Sequence, residues 1–228
     1  MFFWDPTFLI VIPGALLALY AQLRVRSAYG RYSQVPIHNG MTGAQVAEEI
    51  LRRNGLARVQ VERIDGVLSD HYDPRTRVLR LSSGVYDGAS VASVGVAAHE
   101  TGHAIQHARA YAPLAVRSAI VPVSQFGSWL AWPLFLIGFL FRSPMLMQVG
   151  ILIFSAAVAF TLVTLPVEFD ASGRAMRVLR AEGLVTADEL AGVRAVLSAA
   201  ALTYVAAAAT AILELVRLLL LSNLRREE

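Results

Sequence analysis

The chain has 228 residues, enough for one or two domains; 56% are hydrophobic and the mean hydropathy is +0.53, above the globular norm. Charged residues make up only 16%, all twenty bases are arginine, and the net charge of +3 is spread without a basic tract, which excludes a nucleic-acid surface and makes a lipid bilayer the expected partner. No cysteine is present, so disulfides and thiolate metal sites are excluded.

Residues 1–23 read as an N-terminal membrane anchor. Phe8–Leu23 is uncharged and apolar, Met1–Trp4 extend it, and Arg24 and Arg26 follow. A cleaved signal peptide fits poorly, because the start carries Asp5, no base and no small-residue cleavage site. Residues 24–117 are polar enough to lie outside the membrane. There Thr42 and Gln45 form a capping box for a helix over Ala44–Arg53, and Gly55 stands where a terminating glycine belongs. Val59–Ile64 and Arg77–Leu81 alternate like strands around the turn residues Asp73-Pro74-Arg75-Thr76, which predicts a short antiparallel sheet. Asp87 or Ser90 then caps a helix reaching about Arg109.

Residues 118–167 predict a transmembrane hairpin. Ser118–Phe141 is uncharged over 24 residues and Ser143–Val167 over 25, with Arg142-Ser143-Pro144 as the link. Residues 168–194 are polar and helical in pattern, broken at Gly183, and Thr186 with Glu189 forms a second capping box. Residues 195–228 are read as a C-terminal span and tail, or as a buried helix reaching the interface. In it Glu214 and Arg217, spaced i,i+3, pair near the membrane edge. The whole predicts a mainly α membrane protein of about four transmembrane helices, with a small α+β cytoplasmic region of short antiparallel sheet plus one site-bearing helix. Arginines after the first and third spans place the N-terminus outside and both polar regions in the cytoplasm, in a multi-pass protein of a bacterial-type inner membrane; Arg142 and Arg225-Arg226 oppose that orientation.

The chemistry sits in His99-Glu100-Thr101-Gly102-His103. Histidines four apart share a helix face and can offer two imidazoles to one Zn²⁺, with Glu100 beside them as general base toward water. His107 continues the spacing, but it lies about 12 Å from His99 along a helix axis, while zinc–nitrogen distances are about 2 Å. The third ligand is therefore expected from a second helix. Glu168 is the first acidic residue after the hairpin, and two crossings return it to the side of His103. Asp170 is its local competitor but faces elsewhere on a helix. His71, Tyr72 and Arg174 are candidates to stabilise an oxyanion, with nothing to choose between them; His107 and Asp170 are candidates to support the ligands.

His99–His103, followed after the hairpin by Leu165-Pro166-Val167-Glu168-Phe169-Asp170-Ala171-Ser172, resembles the YugP-type membrane zinc metallopeptidases. Leu68–Thr76 and Val94–Ala98 share the resemblance, which covers most of the chain. More remotely the arrangement is similar to the HtpX and CAAX-prenyl-protease gluzincins, where a later-helix Glu completes the site and Ala-Asp follows; here Ala171-Ser172 stands instead. The resemblance implies a zincin-like catalytic region, one Zn²⁺ per chain on His99, His103 and Glu168, and hydrolysis of peptide bonds.

The expected activity is a zinc endopeptidase acting on peptides or membrane proteins at the cytoplasmic membrane surface, as a homo-oligomer or beside a membrane partner protein. Residues Arg77, Val78, Leu79, Arg80 and Leu81 are expected to hold an extended substrate along their edge. The alternative is a membrane scaffold with a structural or vestigial zinc site, although Glu100 has no purpose there. Intramembrane proteolysis fits poorly: the Asp-Gly pairs at Asp65 and Asp87 precede the histidines rather than follow them.

Overall fold

The computed structural model describes residues 6–227, with all side chains except those of Val123, Gln125, Phe126, Ser128 and residues 225–227. A 3₁₀ turn over Pro6–Ile10 leads into α1 (Ile12–Tyr32), α2 (Gly43–Arg53), β1 (Gln60–Ile64), β2 (His71–Asp73), β3 (Val78–Ser82) and the single turn α3 (Ser83–Tyr86). Four longer helices follow: α4 (Val91–Ala108), α5 (Ala112–Leu140), α6 (Pro144–Ala181) and α7 (Ala187–Glu227). The part of the expected anchor formed by Met1–Trp4 lies outside the described residues.

Local chemistry sets the helix starts. Thr42 Oγ1 accepts from the Gln45 amide at 3.3 Å and Gln45 Oε1 accepts from the Thr42 amide at 2.9 Å, so the expected box opens α2. Gly55, at φ +74°, takes the left-handed conformation that ends it. Ser90, and not Asp87, caps α4 by accepting from the Ser93 amide. Thr186 and Glu189 reciprocate in the same way at the start of α7.

The sheet departs from expectation. Its order is β1-β3-β2, with β1 parallel and β2 antiparallel to β3. The chain reverses twice between Ile64 and Val78, because His71–Asp73 forms a strand of its own. Two reversals restore the direction of β1, hence the parallel pairing. The expected substrate strand is corrected too. Arg77 belongs to the turn, at φ +57°, and Val78–Ser82 is the central strand. Its backbone pairs with Gln60–Ile64 on one side and His71–Asp73 on the other, which leaves no edge for a peptide. The Asp73 turn does form: its carboxylate accepts from the Arg75 amide at 2.9 Å and the Thr76 hydroxyl at 2.7 Å. These donors hold the Asp73 carboxyl low, at about 2, chiefly through the Thr76 hydroxyl and next through the Arg75 amide.

The residues group into two units. One comprises Leu23–Ala115 and Val167–Leu202. Its centre is α4, fourteen of whose eighteen residues are buried. Ala97 faces Leu79, Leu81 and Val85, while Val94, Ala98 and Ile105 pack with Ala175 and Leu179 of α6 and Val193 and Leu197 of α7. Sheet and helices thus enclose α4 from different sides.

The other unit comprises the chain to Gln22, Val116–Pro166 and the chain from Thr203. In it Phe135, Met147, Leu218 and Leu221 form a buried apolar cluster. Gly150 lets α6 approach α5 closely, since a Cβ there would lie 2.8 Å from the Phe135 amide nitrogen. Arg217 pairs with Glu214 at 3.4 Å as expected, but it is buried, with Thr7 as a further partner and the Phe8 ring beneath its guanidinium, and does not extend outward.

Three helical stretches among the described residues are long and apolar enough to cross a membrane: Pro6–Tyr32, Pro144–Ala181 and Ala187–Leu224. Within α5, Ala112–Pro122 and Trp129–Leu140 are shorter apolar stretches. The polar helix expected from residue 168 is not a separate element. It continues α6 through Pro166, where the ring removes one backbone donor and the helix resumes beyond it.

Candidate metal centre

The helices α4 and α6 run antiparallel past one another in the unit that holds both segments. His99 meets Ser172, Gly102 meets Ala171, His103 meets Glu168 and Gln106 meets Val167, so the order reverses from one helix to the other. Gly102 makes this approach possible, because it presents no side chain to the Ala171 carbonyl.

The approach gathers three donor groups. Glu168 Oε2 lies 3.2 Å from His99 Nε2 and 3.6 Å from His103 Nε2. The ligand atoms of these three residues all fall within 4.8 Å of one another, and the rings stand nearly perpendicular, at 87°. Glu168 is 2% exposed, so its carboxylate is a buried negative charge facing two imidazoles. Such a charge calls for a cation. Two imidazoles and one carboxylate are the hard-to-borderline donor set that suits Zn²⁺, so these residues fit the ion.

The remaining polar atoms of the site are also engaged. His99 Nδ1 is 3.1 Å from Ser172 Oγ and His103 Nδ1 is 3.0 Å from Gln106 Oε1. Each ring thereby turns its Nε2 toward Glu168. Burial opposes charge on His103, but the Glu168 hydrogen bond and the nearby Glu100 charge outweigh it and raise the imidazole above its usual range. Glu100 is itself buried, next to His99 on α4.

The other expected residues are sorted by distance. His107 is not among the three; its Nδ1 lies 2.9 Å from the Tyr72 hydroxyl. Burial pushes the Tyr72 phenol up, so it is neutral at ordinary pH. His71 is exposed and its Nδ1 sits 2.9 Å from the Ser69 carbonyl. Asp170 is not among the three either; it accepts from Gln106 Nε2 at 2.8 Å and pairs with Arg174. Arg174 also lies over the Tyr111 ring.

Sequence reasoning did not single out Gln106 as a supporting residue, and treated Ser172 only as a departure from an Ala-Asp pattern. The signal for Gln106 was its place three residues after His103, on the same helix face.

Residues 7–223 match the family described as "Putative neutral zinc metallopeptidase", and the chain belongs to that family. It is 48% identical over 219 residues to "Putative membrane protease YugP" of Bacillus subtilis (strain 168), covering 96% of this chain and 97% of that protein. No solved structure matches.

Proposed function

We propose that this protein is a zinc-dependent endopeptidase of gluzincin type, embedded in the inner membrane of a bacterial-type cell. The observation that carries the reading is the convergence of His99 Nε2, His103 Nε2 and Glu168 Oε2, with Glu100 on the same helix. These three residues hold one ion per chain. Bound zinc supplies Lewis acidity toward water and the scissile carbonyl.

The chain supplies the proton transfers. The Glu100 carboxylate takes a proton from the attacking water and later gives it to the leaving amine, which becomes the new N-terminus. Among the candidate donors to the developing oxyanion we take Tyr72. Arg174 is committed to Asp170 and Tyr111, and His71 to Ser69. The Tyr72 hydroxyl is neutral and held by His107, one helical turn beyond His103.

In this reading a peptide lies extended along β2, whose far side carries no partner strand among the described residues. Extended binding restricts cleavage to unfolded or flexible segments of peptides and membrane proteins. α5 serves as a fourth span, so that α5 and the apolar part of α6 cross twice and return Glu168 to the side of His103. The arginines after the first and third spans support a cytoplasmic location for that side.

The test is zinc analysis of the purified protein together with chelator-sensitive cleavage of casein. Glu100→Gln is expected to keep the zinc and lose cleavage by about 100- to 10,000-fold. Cleavage retained in Glu100→Gln refutes the base, and zinc retained without cleavage by the wild type favours a scaffold.

A further inference from the structure

We infer that Gln106 is a positioning residue that sets the ring orientation and tautomer of His103 and ties it to the helix carrying Glu168. This deepens the zinc reading above and rests on it. Gln106 is fully buried, so its amide must be satisfied inside the protein.

The direction of the amide follows from its partners. Gln106 Nε2 lies 2.8 Å from the Val167 carbonyl oxygen and 2.8 Å from Asp170 Oδ2. Both only accept, so the nitrogen must face them. The oxygen then faces His103 Nδ1 at 3.0 Å. An amide oxygen only accepts, so the proton must sit on Nδ1. In the neutral imidazole the lone pair then falls on Nε2, the atom that would meet an ion held beside Glu168.

His99 lacks this constraint. Its Nδ1 meets the Ser172 hydroxyl, which can donate or accept and so fixes neither tautomer. The two histidines are therefore held unequally. Gln106 also grips the backbone one residue before Glu168, so a single side chain spans two of the three ligand positions.

The test uses the full-length protein in detergent. Zinc affinity is measured by competition with a chromophoric chelator, and site geometry by the visible spectrum of the cobalt(II)-loaded protein. Gln106→Met keeps the volume and removes the hydrogen bonds. It is expected to weaken zinc by about 10- to 100-fold and to shift the cobalt bands. Gln106→Glu keeps the shape and an acceptor oxygen toward His103 Nδ1, and its other oxygen, protonated between the Val167 carbonyl and the Asp170 carboxylate, donates to one of them, so wild-type affinity and cobalt bands are expected to return.

Wild-type affinity and an unchanged spectrum in Gln106→Met overturn this inference alone. So does a Gln106→Glu variant as weak as Gln106→Met. Should Gln106→Met not fold, Gln106→Glu decides, wild-type affinity supporting the inference and a loss of about tenfold overturning it. A wild type without zinc, or a His103→Ala variant that keeps it, overturns the zinc reading and this inference with it.

Discussion

Gly102 and Ala171 meet backbone to backbone. A Cβ at position 102 would lie 2.6 Å from the Ala171 carbonyl oxygen and 3.1 Å from its carbonyl carbon. The obstacle is main chain of another helix, which has no rotamer to change. The spacing of α4 and α6 at this point also sets the distance from His103 to Glu168.

Gly102→Ala is therefore expected to force the helices apart, at about 1–3 kcal/mol of stability, and to lower zinc content in parallel. Gly173 is the control. A Cβ there meets only the mobile end of Arg177, at 3.4 Å. Gly173→Ala should be neutral or stabilise by up to about 1 kcal/mol, since glycine is a poor helix former. Thermal unfolding in detergent and elemental analysis of both variants check this. Equal behaviour would show that close approach does not govern the site.

Glu168→Gln keeps the shape of the side chain and removes the charge that faces both imidazoles. Zinc affinity should fall by more than the 10- to 100-fold that loss of a supporting hydrogen bond costs. Asp170→Asn should leave the ion bound, because Asp170 turns to Gln106 and Arg174. A fully occupied site in Glu168→Gln, measured after dialysis against a chelator, removes Glu168 from the ligand set.

What was legible in the sequence was local. The boxes at Thr42 and Thr186 and the turn at Asp73 each depend on residues two or three apart, and each formed. The facing of Glu168 rather than Asp170 followed from helical geometry. What was not legible was chosen at long range. β2 has three residues, too few to show a period, and without it the direction of β1 against β3 could not be read. Gln106 looked like an ordinary polar residue because Val167, which satisfies it, lies 61 positions away. The uncharged run ending at Val167 set the expected end of the hairpin, yet α6 passes on through Pro166 and Glu168 without a break.

His107 offers a check on the ligand set from the other direction. Its Nδ1 is occupied by the Tyr72 hydroxyl, and helix rise separates it from His99. His107→Ala and Tyr72→Phe should both keep full zinc occupancy. Each removes the bond that holds the Tyr72 hydroxyl in place or the hydroxyl itself, so turnover should fall, by about 100-fold for Tyr72→Phe. The measurement is casein cleavage normalised to bound zinc. Zinc lost from His107→Ala would make His107 a ligand after all.

The two capping boxes should differ in strength. Gln45 only reciprocates with Thr42. Glu189 reciprocates with Thr186 and its Oε1 also accepts from the His38 amide at 2.6 Å, while His38 Nδ1 lies 2.8 Å from its Oε2. One carboxylate thus joins the start of α7 to the segment before α2. Gln45→Ala should cost about 0.5–1 kcal/mol, as loss of one reciprocal contact does. Glu189→Ala strips partners from two segments at once and should cost about 2 kcal/mol. Paired chemical or thermal unfolding of the two variants gives the difference directly, and equal costs would mean that His38 gains nothing from Glu189.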